Sequence, residues 1–140
     1  IENDYFVFLA EEHELITDAE EVCRRLSQRH RMYIVTNGTA RIQHSRWNKS
    51  GLNDFFDGVF ISEELGFHKP SRDFFHAVFE RAGIREADKP SVLLIGDSYS
   101  SDITGAFNAG IMSCWFNPKG EALDDKKAPD YEIRELKELL

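Results

Sequence analysis

The sequence is short of cysteine, of positive charge and of long apolar runs, and each shortage excludes a class of protein. Its 140 residues hold two cysteines, Cys23 and Cys114, which form neither a metal-ligand spacing nor a disulfide framework. Cys114 lies in the apolar run "IMSCWF" and reads as a buried structural thiol. No apolar stretch approaches the length of a membrane-spanning helix, and there is no secretory leader pattern. Lysine and arginine number 17 against 25 aspartates and glutamates, for a net charge of −8. That balance argues against a nucleic-acid polymer as partner, since such polymers are gripped through their phosphates. A small phosphorylated ligand remains compatible, because local charge decides that case. The expectation is a cytoplasmic, reducing location with no membrane partner.

An initiator methionine is also missing. The chain starts at Ile1, and "YFVFLAEEHEL" opens with no preceding turn or cap, as if cut from a larger protein.

What is present is ordinary for a globular domain: 41% hydrophobic and 30% charged residues, in a length that suits one core. "TDAEEVCRRLSQRH" reads as an amphipathic helix, with Thr17 and Glu20 at capping-box spacing and Ala19, Val22 and Leu26 on one face. "RMYIVTNG" is a short strand closed by a turn signal, and "TARIQHSRWNKSG" is a helix that Gly51 stops. "FDGVFIS" is a second strand. "PSRDFFHAVFERAG" is the best helix pattern, started by Pro70 and Ser71, paired at Phe74/Val78 and Phe75/Phe79, and ended by Gly83. "SVLLIGDS" is a strand apolar enough for burial on both faces. A short helix "SDITGAFNAG", a strand "IMSCWFNP", an edge strand in "APDYEI" and a closing helix "RELKELL" complete the chain. Strands alternating with helices predict an α/β fold, a parallel sheet with helices on both faces.

In such a sheet, ligands bind at the carboxyl ends of the strands. Three polar signals fall there: Thr36-Asn37-Gly38 after "MYIV", Lys69 beyond "GVFIS", and Asp97 with Asp102 after "SVLLI". Each has a plainer reading. Thr36 suits a helix cap, Lys69 a solvated lysine, Asp97 a turn and Asp102 the first turn of a helix. Their shared edge favours a common purpose. Hard carboxylate oxygens suit Mg²⁺, which is held by one or two carboxylates plus substrate phosphate. An ammonium and a hydroxyl then orient and neutralise the remaining phosphoryl oxygens.

With these residues in order, the sequence resembles the haloacid dehalogenase (HAD) superfamily of phosphatases. "IVTNGT" looks like its second motif, the lysine of "HKP" its third and "GDSYSSD" its fourth. The stretch from "TNGTARIQ" to "HKPSRDFF" is similar to a subgroup of nucleoside-monophosphate phosphatases that includes pyrimidine nucleotidases. The resemblance implies a Rossmann-like core and Mg²⁺-dependent hydrolysis of a small phosphomonoester through an aspartyl-phosphate. It implies that Thr36 and the Asn37-Gly38 backbone bind the phosphoryl group and that Lys69 offsets its charge. Asp97 would ligate the metal, and Asp102 would hold a metal water or orient Lys69.

The family's first motif, an Asp-x-Asp that carries the nucleophile, is absent from these residues. Residues 1–16 match the end of a helical cap and its return linker, and residues 17–140 an incomplete core. The central strand is therefore expected to lie outside this chain, in a preceding segment or a second chain, with "MYIV" and "VLLI" flanking its slot. Two other readings compete. One is a phosphate-binding or regulatory module that kept the cage without the nucleophile. The other is a receiver-type signalling domain, disfavoured because its acidic pair comes early in the chain and its lysine late. The five histidines show no metal-ligand pairing with one another, and only His68 falls near the site.

Overall fold

In the computed structural model, residues 6–10, 18–51 and 53–140 are described, and they form a six-stranded parallel sheet. In chain order the elements are β1 (Phe6–Ala10), α1 (Ala19–Ser27), β2 (Arg31–Thr36), α2 (Ala40–Ser50), β3 (Gly58–Ile61) and α3 (Ser62–Leu65). They continue with α4 (Arg72–Ala82), β4 (Val92–Gly96), α5 (Thr104–Ala109), β5 (Met112–Phe116) and β6 (Tyr131–Ile133). The strand order across the sheet is β3-β2-β1-β4-β5-β6.

Alternation along the strands divides the core between the two faces. Val7, Met32, Leu93, Ile95 and Cys114 pack with α1 on one face; Phe8, Tyr33, Val35, Val92 and Leu94 pack with α4 and α5 on the other. Helix α4 contributes Phe74, Phe75, Val78 and Phe79, all buried, so both expected i,i+4 pairs face the sheet. Ser71 caps it by accepting from the Asp73 amide at 3.1 Å, and Gly83 ends it in the left-handed region, φ 74°. Gly51 ends α2 in the same way. The expected Thr17 cap of α1 lies outside the described residues.

One expectation needs correcting. Strands β2 and β4 do not pair with each other, so the slot between them exists, but β1 of this same chain fills it. Ala10 stands opposite Val35 and Leu9 opposite Ile95. The physical reason is visible in "FVFLA". Val7 and Phe8 are fully buried, on opposite faces, as a central parallel strand requires. Two flanking strands with unpaired backbone groups are a template for any such segment. The expected boundary between residues 1–16 and 17–140 falls among residues outside those described.

The edge strand in "APDYEI" is present as β6, beside β5. The closing helix is not. Leu136–Leu139 make only a 3₁₀ turn, because the Glu138 carboxylate accepts from the Arg134 and Glu135 amides and closes the segment within one turn. Among the described residues, no helix is long and apolar enough to cross a membrane.

Candidate active site

The carboxyl edge of the sheet collects the loops that follow Thr36, Ile61 and Gly96, and all the sequence-predicted site residues lie on or beside these loops. Lys69 follows α3 and precedes α4, joined to Pro70 by a cis peptide bond. It is not a solvated lysine. Its Nζ donates to Asp102 Oδ1 at 2.8 Å, and both side chains are completely shielded from solvent. Nζ also lies 3.5 Å from the Val35 carbonyl on β2. Burying an ammonium is costly unless a partner compensates its charge, so Lys69 and Asp102 hold each other in place.

Asp102 sits in the π-helical turn Tyr99–Ile103 that enters α5. Its second oxygen, Oδ2, accepts from the Ser98 amide at 3.1 Å, while its own amide donates to the Ser98 carbonyl at 2.8 Å. Of the two roles expected for Asp102, orienting Lys69 is the one these contacts display. Gly96 makes the arrangement possible. A Cβ placed there would stand 2.2 Å from Asp102 Oδ2, inside any allowed contact.

Thr36 ends β2 and is buried, its hydroxyl donating to the Asn37 carbonyl at 3.1 Å. The N-cap position of α2 belongs to Thr39, so the plainer reading of Thr36 as a cap does not hold. Asn37 does more than its position suggested. Its side-chain amide donates to the Lys69 carbonyl at 3.2 Å and accepts from the Lys69 amide at 2.9 Å, gripping that residue's main chain from both sides. Gly38, at φ 140°, donates its amide to Ser62 Oγ at 2.9 Å. Together with the Ala40 amide bonded to Glu63 Oε1 at 3.0 Å, this pins the loop to α3.

Asp97 differs from its neighbours. It is exposed at the edge of the sheet, and its carboxylate has no hydrogen bond or ion pair among the described residues. An open hard-oxygen ligand of that kind fits Mg²⁺, which keeps several waters and needs only one or two carboxylates. No group of three or more His, Cys, Asp or Glu able to hold a metal occurs among the described residues.

Sequence reasoning missed the supports. Asn108 donates to the Pro70 carbonyl at 3.0 Å, and Gly105 lets α5 approach, since a Cβ there would meet Phe75 Cε2 at 2.8 Å. Trp115 Nε1 donates to the Asp97 carbonyl at 3.1 Å. These contacts join residues 18 and 38 positions apart, which no local pattern reports. His68 is exposed beside Lys69. His44 pairs with Glu64 at 3.2 Å and His76 with Glu80 at 3.7 Å, neither of them with Asp97 or Asp102.

Comparison with known proteins bears on the family and the fold. A family model described as haloacid dehalogenase-like hydrolase matches residues 1–110. The chain is 42% identical over 139 residues to the HAD-hydrolase YfnB of Bacillus subtilis, covering 99% of the chain and 58% of that protein. It is 40% identical over 106 residues to pyrimidine 5'-nucleotidase YjjG of Escherichia coli, covering 76% and 46%. It is 35% identical over 137 residues to pyrimidine 5'-nucleotidase PynA of Streptococcus pneumoniae, covering 97% and 57%. The crystal structure of YfnB bound to magnesium superimposes with a TM-score of 0.84, over 89% of this chain and 54% of that one. The chain thus spans about half the length of the curated relatives it matches.

Proposed function

The chain belongs to the haloacid dehalogenase-like hydrolases, and from that premise we propose that its carboxyl-edge site holds the phosphoryl group of a small phosphomonoester in an Mg²⁺-dependent phosphatase. The observation that carries the reading is the sealed Lys69–Asp102 pair, 2.8 Å long, beside the open carboxylate of Asp97. A structural ion pair alone does not call for a second, solvent-facing acid on the same loop.

Each residue then has a task. Asp97 would hold the metal, which supplies charge neutralisation and a template for in-line attack when bound. Lys69 places a fixed positive charge where the phosphate's negative charge must be balanced, at a position that Asp102 and Asn37 determine. The Thr36 hydroxyl turns from the Asn37 carbonyl to donate to a phosphoryl oxygen, a rotation about one bond. A phosphoryl group entering beside Asp97 and the Asn37 backbone meets this cluster from its exposed side.

The attacking carboxylate is proposed to come from the family's Asp-x-Asp strand in a longer protein. That strand and Phe6–Ala10 would claim the same central slot, and residues 1–16 would then serve as cap end and return linker. The names of YjjG and PynA support nucleoside monophosphates, pyrimidine ones first, as the substrate class. The test is steady-state hydrolysis of a nucleoside-monophosphate panel by protein carrying that strand, across a Mg²⁺ titration. Asp97→Asn should lower turnover on the order of a hundredfold or more, and Lys69→Met should impair phosphate binding and turnover together. Full activity in chelator would end the metal-assisted reading.

A second reading, a phosphate-binding module without turnover, draws on one observation. The described central strand, Phe6–Ala10, carries no carboxylate. Absence of hydrolysis in the longer protein, with phosphate binding intact, would favour it.

A further inference from the structure

We infer that Trp115 is a positioning residue for the metal ligand Asp97; the inference rests on the metal reading given above. The peptide unit between Asp97 and Ser98 lies just past the end of β4, beyond the reach of the strand ladder. Both of its polar atoms are nevertheless held. The carbonyl accepts from Trp115 Nε1 at 3.1 Å, and the Ser98 amide donates to Asp102 Oδ2 at 3.1 Å. Held at both ends, the plane cannot rotate without breaking a bond to a charged acceptor and stranding a buried indole N–H. The direction in which the Asp97 side chain leaves the backbone is set by that plane.

The indole is itself fixed. Trp115 is 2% exposed and stands opposite Gly96 in the β4–β5 register. Its ring meets Tyr99 edge-on, with centroids 5.5 Å apart at 74°. The Tyr99 hydroxyl in turn donates to the Lys127 carbonyl at 2.5 Å. Trp115 therefore fixes the Asp97 main chain much as Asp102 fixes the Lys69 ammonium, each a buried partner of the group it holds: the indole by donating, the carboxylate by accepting. Partners that orient a metal ligand typically affect metal affinity by about ten- to a hundredfold.

The test uses the whole chain with Trp47→Phe, which leaves Trp115 as its single tryptophan. Residue 115 is then replaced by benzothienylalanine, whose sulfur removes the N–H while keeping the ring shape, and separately by phenylalanine. Mg²⁺ affinity is measured by calorimetry and stability by urea unfolding. The expected result is about tenfold weaker Mg²⁺ binding in the benzothienyl protein, at a nearly unchanged unfolding midpoint. Unchanged Mg²⁺ affinity would overturn the inference while leaving the metal reading intact. Failure of the Trp47→Phe parent to bind Mg²⁺ saturably would overturn the metal reading itself. In that parent, the Trp115 indole N–H should also resist solvent exchange by NMR and shift on adding Mg²⁺. A freely exchanging signal would refute the hydrogen bond directly, whether or not the variants fold.

Discussion

Lys69 and Asp102 meet at 2.8 Å in complete isolation from solvent, linking the loop before α4 to the turn that enters α5. The pair is a joint between two loops as well as a charge device. Breaking it from one side strands a buried charge, whereas removing both sides does not. Asp102→Leu is expected to destabilise the fold by about 3–5 kcal/mol, and Lys69→Met/Asp102→Leu by clearly less than the sum of the single changes. Urea unfolding of the three variants checks this. Additive effects would mean that the pair is not the joint described here.

Gly96→Ala should mimic loss of the pair without altering either charge. The added methyl would stand 2.2 Å from Asp102 Oδ2, so Asp102 must move or the end of β4 must shift. A loss of about 1–3 kcal/mol is expected, the range for overpacking. The measurement is the urea midpoint, together with the NMR shift of the Ser98 amide, which reports Asp102 directly.

Asn37→Ala should loosen Lys69 while leaving the ion pair in place. It removes two hydrogen bonds to the Lys69 main chain, of 2.9 and 3.2 Å. A stability loss of about 1–3 kcal/mol is expected. Weaker binding of inorganic phosphate, followed by calorimetry, should accompany it. Unaltered phosphate binding would show that the grip serves stability alone.

How far the site was legible follows from the kind of signal each residue leaves. The placing of Lys69 and Asp97 at the carboxyl edge was legible because the strand ends can be read from apolar runs and the order of polar groups after them resembles that of a known family. Asn37 was placed at the site, but its grip on Lys69 spans 32 positions and leaves no periodic trace. Trp115 sits in an apolar strand, where an indole looks like core until its N–H is followed. Phe6–Ala10 shows the opposite failure. The family resemblance assigns this opening segment to the end of a cap and its return linker, and no strand is expected there. Occupancy of the central slot is decided by which segment can pair with both β2 and β4, a tertiary matter that "FVFLA" alone does not state.

The buried thiol of Cys114 offers a check on the core. Its burial, and next the nearby negative charge of Glu138, push its pKa up to about 12 from an ordinary value of 9.0. The folded protein therefore keeps a proton that the unfolded chain gives up, so stability is whole below pH 9 and declines as pH rises toward about 12. Between pH 8 and pH 10.5 the wild type should lose more stability than Cys114→Ala. At pH 8 iodoacetamide should leave Cys114 unmodified until the protein is unfolded. Equal pH dependence in the two proteins would place the thiol in a more polar setting than the structure shows.

Binding of inorganic phosphate to the whole chain, titrated calorimetrically with and without Mg²⁺, tests the central claim most directly because it needs no nucleophile. Saturable binding that Mg²⁺ strengthens is predicted. Lys69→Met should weaken it in both conditions, and Asp97→Asn should abolish the Mg²⁺ effect alone. No binding, or binding indifferent to both substitutions, would contradict the assignment of this edge of the sheet as a phosphoryl site.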